Sequence, residues 1–347
     1  MKTFYAPVLV TTLCRDEHFI ECIESLKNNT WAKHTDIFVG IDYPLKKEHR
    51  EGYDKICEYV RKGDFSDFAS FNVFMREKNY GSVANSSALK KVVREKYDRY
   101  IFTEDDNVFS PDFLKFIDEM LKKYEDDEDV VAVCGYSYPL KWKVKDGANA
   151  MLCNFHFSAW GTGHYVDKRD KADKEIESDY LKNDYEKIRR EKAYERLTDA
   201  RLLDYSTGVT SKFGQGLVFC PSDVGLGVYL GIRNKFVVMP ALSKVRNEGF
   251  DGSGKYCEDT KSARKKHDSC KARIYDYSKQ PIGDGKDTDY VVDENRDCAE
   301  NRKLLNAFDC RKKSEIFKAK SKLRIYNVLG KEKFFALKNK LSGKKKK

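Results

Sequence analysis

Along the first part of the chain, short apolar runs alternate with stretches in which apolar residues recur every three or four positions. Pro7–Thr12, Ile37–Asp42, Phe68–Met75, Arg99–Thr103 and Val130–Cys134 read as strands. Between them, Glu17–Asn28 carries Phe19, Ile20, Ile23 and Leu26 on one helical face, and Tyr53–Lys62 and Ser82–Lys96 also read as helices. Strands alternating with helices predict an α/β fold with a mixed, mainly parallel sheet flanked by helices. The second half is less regular. Lys168–Arg201 is charge-rich and mostly helical, with Ala172, Ile176, Tyr180 and Leu181 as its packing stripe, and Phe236–Pro240 is a late strand. Asn247–Gly254 is a glycine-rich loop, and no internal repeat is visible. This pattern divides the chain into an α/β domain at 1–260, an irregular polar extension at 261–310 and a helical tail at 311–347.

Composition sharpens the picture at three points. The 347 residues are 40% hydrophobic and 35% charged, with no run of apolar residues long enough to cross a bilayer. The chain enters a strand almost at once, so neither a signal peptide nor a membrane anchor is expected. Ten cysteines, among them Cys134, Cys220 and Cys257, show no C-x-x-C pair, so reduced thiols are expected. The net charge of +10 is uneven: residues 311–347 hold 15 Lys and Arg against Glu315 and Glu332, a net of +13, which leaves −3 for the rest. In that tail Ile316, Ala319, Leu323 and Tyr326, then Phe334, Leu337 and Leu341, follow helical spacing. A basic amphipathic helix suits an anionic membrane surface; nucleic acid is the competing partner, but no nucleic-acid fold motif accompanies the helix.

The chemistry concentrates in Tyr100-Ile101-Phe102-Thr103-Glu104-Asp105-Asp106-Asn107-Val108, an apolar strand that stops in three adjacent carboxylates. Such a cluster at the carboxyl end of a buried strand is costly unless a cation neutralises it. Its plainer alternative is a solvated acidic turn before a helix, since Ser110-Pro111-Asp112 supplies N-cap, first-turn proline and first-turn acid. The segment Tyr100–Leu121 resembles the metal-binding segment of nucleotide-sugar glycosyltransferases of the GT-A fold. The likeness is nearest to the N-acetylglucosaminyltransferase I type, whose Glu-Asp-Asp and Pro-Asp-Phe correspond to Glu104, Asp105, Asp106, Pro111, Asp112 and Phe113.

That resemblance implies a Rossmann-like GT-A domain in which Asp106 touches Mn²⁺ or Mg²⁺, and Asp105 or Glu104 holds the donor ribose or the metal's waters. It puts Thr11, Arg15 and Asp42 on the donor, the arginine to diphosphate and the aspartate to a base N–H; an exposed loop arginine and an Asp-Tyr-Pro turn are the alternatives. Asn79 and Gly81 would open the helix that approaches the donor, a role that a plain helix cap also explains. Asp223 would be the catalytic base, or simply an N-cap aspartate. Asn247–Gly254 resembles a loop of related bacterial sugar transferases and implies a lid bringing Asp251 or Arg246 near the diphosphate. Trp160 would offer its ring to the acceptor sugar, or else be core. The six histidines show no ligand spacing, and His156 or His267 is only a minor candidate for the metal shell.

The expected protein is therefore a metal-dependent, inverting glycosyltransferase using a nucleoside diphosphate sugar, UDP-sugar favoured, on a glycan or lipid-linked acceptor. Without an anchor, the resemblance implies a bacterial-type cytoplasmic enzyme of surface polysaccharide synthesis, peripheral to the inner face of the plasma membrane. The alternatives are a nucleotidyltransferase, whose Gly-rich basic opening loop is missing, or a non-catalytic interaction protein with a basic tail.

Overall fold

The computed structural model describes residues 4–211, 222–254, 261–262, 270–287 and 289–343; Cys220, Cys257, His267 and the last four lysines lie outside them. Its strands are β1 (Val8–Thr12), β2 (Asp36–Ile41), β3 (Ser70–Met75), β4 (Arg99–Glu104), β5 (Asn107–Phe109), β6 (Val130–Cys134), β7 (Ala150–Cys153), β8 (Thr162–Tyr165), β9 (Phe236–Pro240), β10 (Val245–Asn247) and β11 (Val292–Asp293). Its helices are α1 (Asp16–Lys27), α2 (Arg50–Lys62), α3 (Ser82–Arg94), α4 (Phe113–Lys123), α5 (Val166–Glu177), α6 (Tyr180–Asn183), α7 (Tyr185–Arg190), α8 (Asp199–Thr210), α9 (Asp223–Arg233), α10 (Lys271–Ile274), α11 (Ala299–Asp309) and α12 (Lys313–Gly343). The chain forms two compact units: one comprises residues 1–153, 158–169 and 236–296, the other 154–157, 170–235 and 297–347.

The first unit holds a nine-stranded sheet in the order β11-β7-β9-β6-β8-β4-β1-β2-β3. β3, β2, β1 and β4 run parallel, β8 is antiparallel to both β4 and β6, and β7 is antiparallel to β9. The expected mainly parallel α/β sheet is therefore present. β1 lies between β2 and β4, and its Val8, Leu9 and Val10 are wholly buried, as a strand covered on both faces requires. α1 buries Phe19, Cys22, Ile23 and Leu26, a stripe in which Cys22 takes the place expected of the half-buried Ile20. α4 is buried on nearly every side, through Phe113, Leu114, Phe116, Ile117, Met120 and Leu121.

The second unit gathers the helices from α6 onward, apart from α10, with the end of α5. The charged stretch read as one helical region is interrupted at Asp179 and Lys192, both left-handed at φ 60° and 49°, and the expected stripe Ala172, Ile176, Tyr180 and Leu181 is buried. The Arg233 guanidinium bonds Glu175 and Asp184 and so fixes the end of α9. α12 bends at Gly330, whose φ of 73° is not helical.

One buried acid stands out in the first unit. Asp118 on α4 accepts the Ala6 N–H through Oδ1 (2.9 Å), while Oδ2 has no hydrogen-bond partner among the described residues. Burial pushes its pKa up to about 8, against the pull of that N–H and of Arg99. The native state therefore holds this proton more tightly than the unfolded chain does, and stability falls as pH rises from about 4 to about 8. Asp118→Asn should flatten that slope in urea titrations and gain on the order of 2 kcal/mol at pH 8. A variant that keeps the wild-type slope would assign it to another group.

Candidate active site

The chain runs β1, β2, β3 outward on one side of β1 and returns to β4 on the other, so the carboxyl ends of β1 and β4 mark a topological switch point, where open α/β sheets bind ligands. The residues leaving those two ends meet. Thr12 donates its hydroxyl to Asp105 Oδ2 at 2.7 Å. Arg15 spans both aspartates, with Nη1 donating to Asp106 Oδ2 at 2.8 Å and Nη2 bonded to Asp105. Both carboxylates are buried. Burial raises the Asp105 pKa and Asp106 adds to the rise, while Arg15 and Thr12 oppose it. Burial disfavours the Arg15 charge, but the two carboxylates outweigh it and hold the guanidinium above its ordinary range.

The glycine-rich loop closes the other side. β10 pairs antiparallel with β5, the short strand that continues from the acidic turn. That pairing lets Asn247 Nδ2 donate to Asp106 Oδ1 (2.9 Å) and to Asn107 Oδ1 (3.0 Å), and the Glu248 N–H donates to the Asp106 carbonyl (2.8 Å). A Cβ at Gly249 would stand 2.2 Å from Asp106 Oδ2, so only glycine lets the loop lie this close. The far end of the small sheet is clamped by Asp112, which accepts from Lys244 Nζ at 2.5 Å, Ser110 and Tyr290. Burial opposes its charge, yet these donors hold the Asp112 carboxyl below its ordinary range.

Aromatic rings adjoin the loop. Phe250 packs against Tyr277 at 4.6 Å and Trp160 at 5.8 Å, and Trp160 also meets Tyr136 at 4.6 Å. Trp160 is only half-buried. Gly161 beside it has φ 62°, and its missing Cβ leaves room for Phe109 and Val245 at 2.9 Å.

The remaining expected residues are placed as follows. Thr11 pairs with Gly40 and Glu104 across the central strands. Glu104 ends β4 exposed. Asp42 is buried and accepts the N–H groups of Tyr43, Tyr80 and Gly81 at 2.7–2.9 Å, leaving one of the roughly four acceptor sites of a carboxylate. Asn79 donates to the Tyr43 carbonyl, and Gly81, at φ 76°, caps α3. Asp251 meets His18 Nε2 at 3.0 Å; burial works against its charge, but Ser253 and His18 hold its pKa at about 2. Asp223 is exposed in the second unit, at the first position of α9, whose cap is the Ser222 hydroxyl accepting from the Gly225 N–H. His156 also belongs to the second unit, where burial first and Arg201 second lower its pKa to about 3. Tyr136, Tyr277 and the Asn247–Asp106 bond belong to no motif of the sequence; the pair Tyr275 and Tyr277 inside a polar stretch is the signal that marks the aromatic group.

Among the described residues no group of three or more His, Cys, Asp and Glu side chains is arranged to hold a metal ion. What exists is an adjacent carboxylate pair already met by an internal cation. Mg²⁺ and Mn²⁺ commonly take one or two carboxylates and complete their shell with water and substrate phosphates, so the donor set fits a cation arriving with a phosphate ligand.

No family model matches the chain, and no curated protein matches it. Among solved structures it is similar to the mannosyltransferase PcManGT from Pyrobaculum calidifontis in complex with GDP-Man and Mn²⁺, at 14% identity, over 47% of this chain and 45% of that one, with a TM-score of 0.33. It is similar to S. aureus TarS 1–349 in complex with UDP-GlcNAc at 19% identity, over 42% and 36% of the two chains, TM-score 0.29. Mouse xyloside xylosyltransferase 1 matches at 9%, over 48% and 68%, TM-score 0.28. Likeness at this level decides neither family nor ligand.

Removing the internal cation should be costly. Arg15→Gln leaves two buried carboxylates facing one another and is expected to lose on the order of 3 kcal/mol at neutral pH. The loss should shrink as acid protonates Asp105, whose pKa is raised. Urea unfolding at pH 7.5 and pH 4.5 measures both, and an equal loss at the two values would show that the charge is not the cause.

Proposed function

We propose that the chain is a glycosyltransferase that takes a sugar from a nucleoside diphosphate sugar, UDP-sugar favoured, in a metal-dependent and inverting reaction. The observation that carries this reading is the meeting of Arg15, Asp105, Asp106 and the Asn247–Gly249 segment at the β1/β4 switch point. The resemblance of Tyr100–Leu121 to the N-acetylglucosaminyltransferase I type agrees with it. The proposed acceptor is a glycan or lipid-linked hydroxyl, a hexose or N-acetylhexosamine is moved, and a lipid-linked acceptor would put the reaction at the inner face of a bacterial plasma membrane, in surface polysaccharide synthesis.

Each residue then has a physical task. Asp106, with Asp105 or Glu104 beside it, would hold Mn²⁺ or Mg²⁺; the bound cation supplies charge neutralisation for the departing diphosphate. Arg15 cannot serve two carboxylates and a diphosphate at once, so donor binding turns its fork from the aspartates to the phosphate oxygens. Asn247 keeps its bond to Asp106 and preserves the carboxylate's direction. Gly81 and the first N–H groups of α3 face phosphate, Asp42 holds that turn and offers its remaining acceptor site, and Thr11 lines the same edge. Phe250 carries Asp251 with the loop, and Trp160 gives the acceptor sugar an aromatic face. Asp223 takes the proton from the acceptor hydroxyl.

Thermal shift with UDP, GDP and dTDP, each with and without Mn²⁺, tests the donor. One nucleotide should stabilise only in the presence of metal, by about 2.7 kcal/mol at a hundredfold excess over its Kd. Asp106→Ala should stay folded and lose both that stabilisation and transfer; full turnover in EDTA would end the metal assignment. Asp223→Asn should bind donor and metal normally and lose about 10² to 10⁴ in kcat. A variant retaining more than about a tenth of the rate leaves Asp223 a helix-end residue only.

A further inference from the structure

The tail stripe read from the sequence is largely used up inside the second unit. Ile316, Ala319, Leu323, Tyr326 and Phe334 are all buried, Tyr326 standing edge-on to Tyr185 at 4.6 Å and against Phe334 at 5.2 Å. Those side chains are not available to a membrane. On the opposite side of the same helix a second apolar set faces out: Phe317 is 72% exposed, Val328 78% and Ile325 42%. At 3.6 residues per turn, positions 317, 325 and 328 share one strip with Lys318, Ser321 and Arg324. Exposed Lys313, Lys320 and Lys322 flank it. Beyond the bend at Gly330, Leu337 and Leu341 are exposed one turn apart, among Lys333, Lys338 and Lys340. Glu315 and Glu332 are the only acids from Arg311 onward, and neither lies on the Phe317–Val328 strip.

We infer that the outward face of α12 binds an anionic lipid surface, with Phe317, Ile325 and Val328 entering the acyl boundary and Lys318 and Arg324 meeting lipid phosphates. The two components of such binding are both present, apolar area on one strip and positive charge interleaved with it. Nucleic acid would engage the cations but leave Phe317 and Val328 in water. A second copy of the chain would set like charges against each other across the strip. The inference deepens the membrane part of the proposed function but stands on exposure and charge, and its test reads binding without turnover.

Full-length chain is sedimented with vesicles of phosphatidylcholine alone and of phosphatidylcholine with phosphatidylglycerol in equal parts. Wild type should bind only the anionic vesicles, and more weakly as salt rises. Phe317→Ser with Val328→Ser should weaken partition by roughly tenfold or more. Lys318→Gln with Arg324→Gln should weaken it by roughly fivefold per charge. All four side chains are exposed, so circular dichroism should report an unchanged fold. Wild-type vesicle binding by the double serine variant overturns the inference. So does equal binding to the neutral vesicles, or a short RNA duplex that binds more tightly than the vesicles and is lost with the charges alone. Loss of vesicle binding with transfer intact upholds the surface and the enzyme together; vesicle binding without any transfer upholds the surface and rejects the enzyme.

Discussion

Two adjacent carboxylates buried at the end of a central strand require a positive charge within reach, and the architecture around β1 and β4 meets that requirement. Burial disfavours the charge on Asp105, and the neighbouring Asp106 disfavours it further. Arg15 opposes both effects, and it can do so because β1 and β4 are parallel neighbours, so the residues that follow them emerge at the same edge. Had the chain returned to the other side of the sheet, Arg15 and the acids would be strands apart. The sheet order is thus the cause of the charge pairing between Arg15 and the two aspartates.

A second constraint fixes the loop that covers those acids. Asn247 and Gly249 reach Asp106 only because β10 is held in register against β5, and that register is held from its far end by Lys244 in contact with Asp112 and Asp287. Lys244 and Asp112 are each almost wholly buried, a pair whose separation would leave an unpaired charge in the core. Asp112, read from the sequence as a first-turn acid, is the residue before α4, and its carboxylate serves the neighbouring strand. The Pro-Asp-Phe signature thereby has a physical content: Phe113 packs under Gly161 and Phe109, while Asp112 locks the strand that delivers the loop.

Much of this was legible in the chain. Continuous apolar runs such as Val8-Leu9-Val10 announce strands buried on both faces, and the acidic stop after Phe102 announces a charged sheet edge. Four kinds of feature were not legible. β5 and β10 are three residues each and have no period to detect, so the bond from Asn247 to Asp106 is invisible until the two are paired. β8 reads Thr-Gly-His-Tyr, a sequence without strand character that survives because it lies between β4 and β6. Asp42 looked like an acid free to meet a base, but no sequence pattern reveals that the 79–81 turn folds back onto it. The tail's periodicity named an apolar face and suggested a membrane surface for it, but most of that face is buried inside the second unit, with Tyr326 against Tyr185.

The glycine at 249 illustrates how such constraints combine. Three contacts direct the Asp106 carboxylate: Arg15 from the turn between β1 and α1, Asn247 from β10 and the backbone of the loop passing within touching distance. A residue with any side chain at 249 would push the loop off the carboxylate or turn the carboxylate into the strand, and either movement would break the Asn247 bond. Asp106 would then keep only Arg15 among these three contacts, while Asp105 keeps Thr12 and Arg15. Arg15 and Asn247 share Asp106 between its two oxygens, Arg15 on Oδ2 and Asn247 on Oδ1, so the carboxylate is fixed from both sides. The loop's glycine therefore sets the position of Arg15 as well as of Asp106, since a Cβ at 249 would stand 3.1 Å from Arg15 Nη1, although the two residues are far apart in the chain.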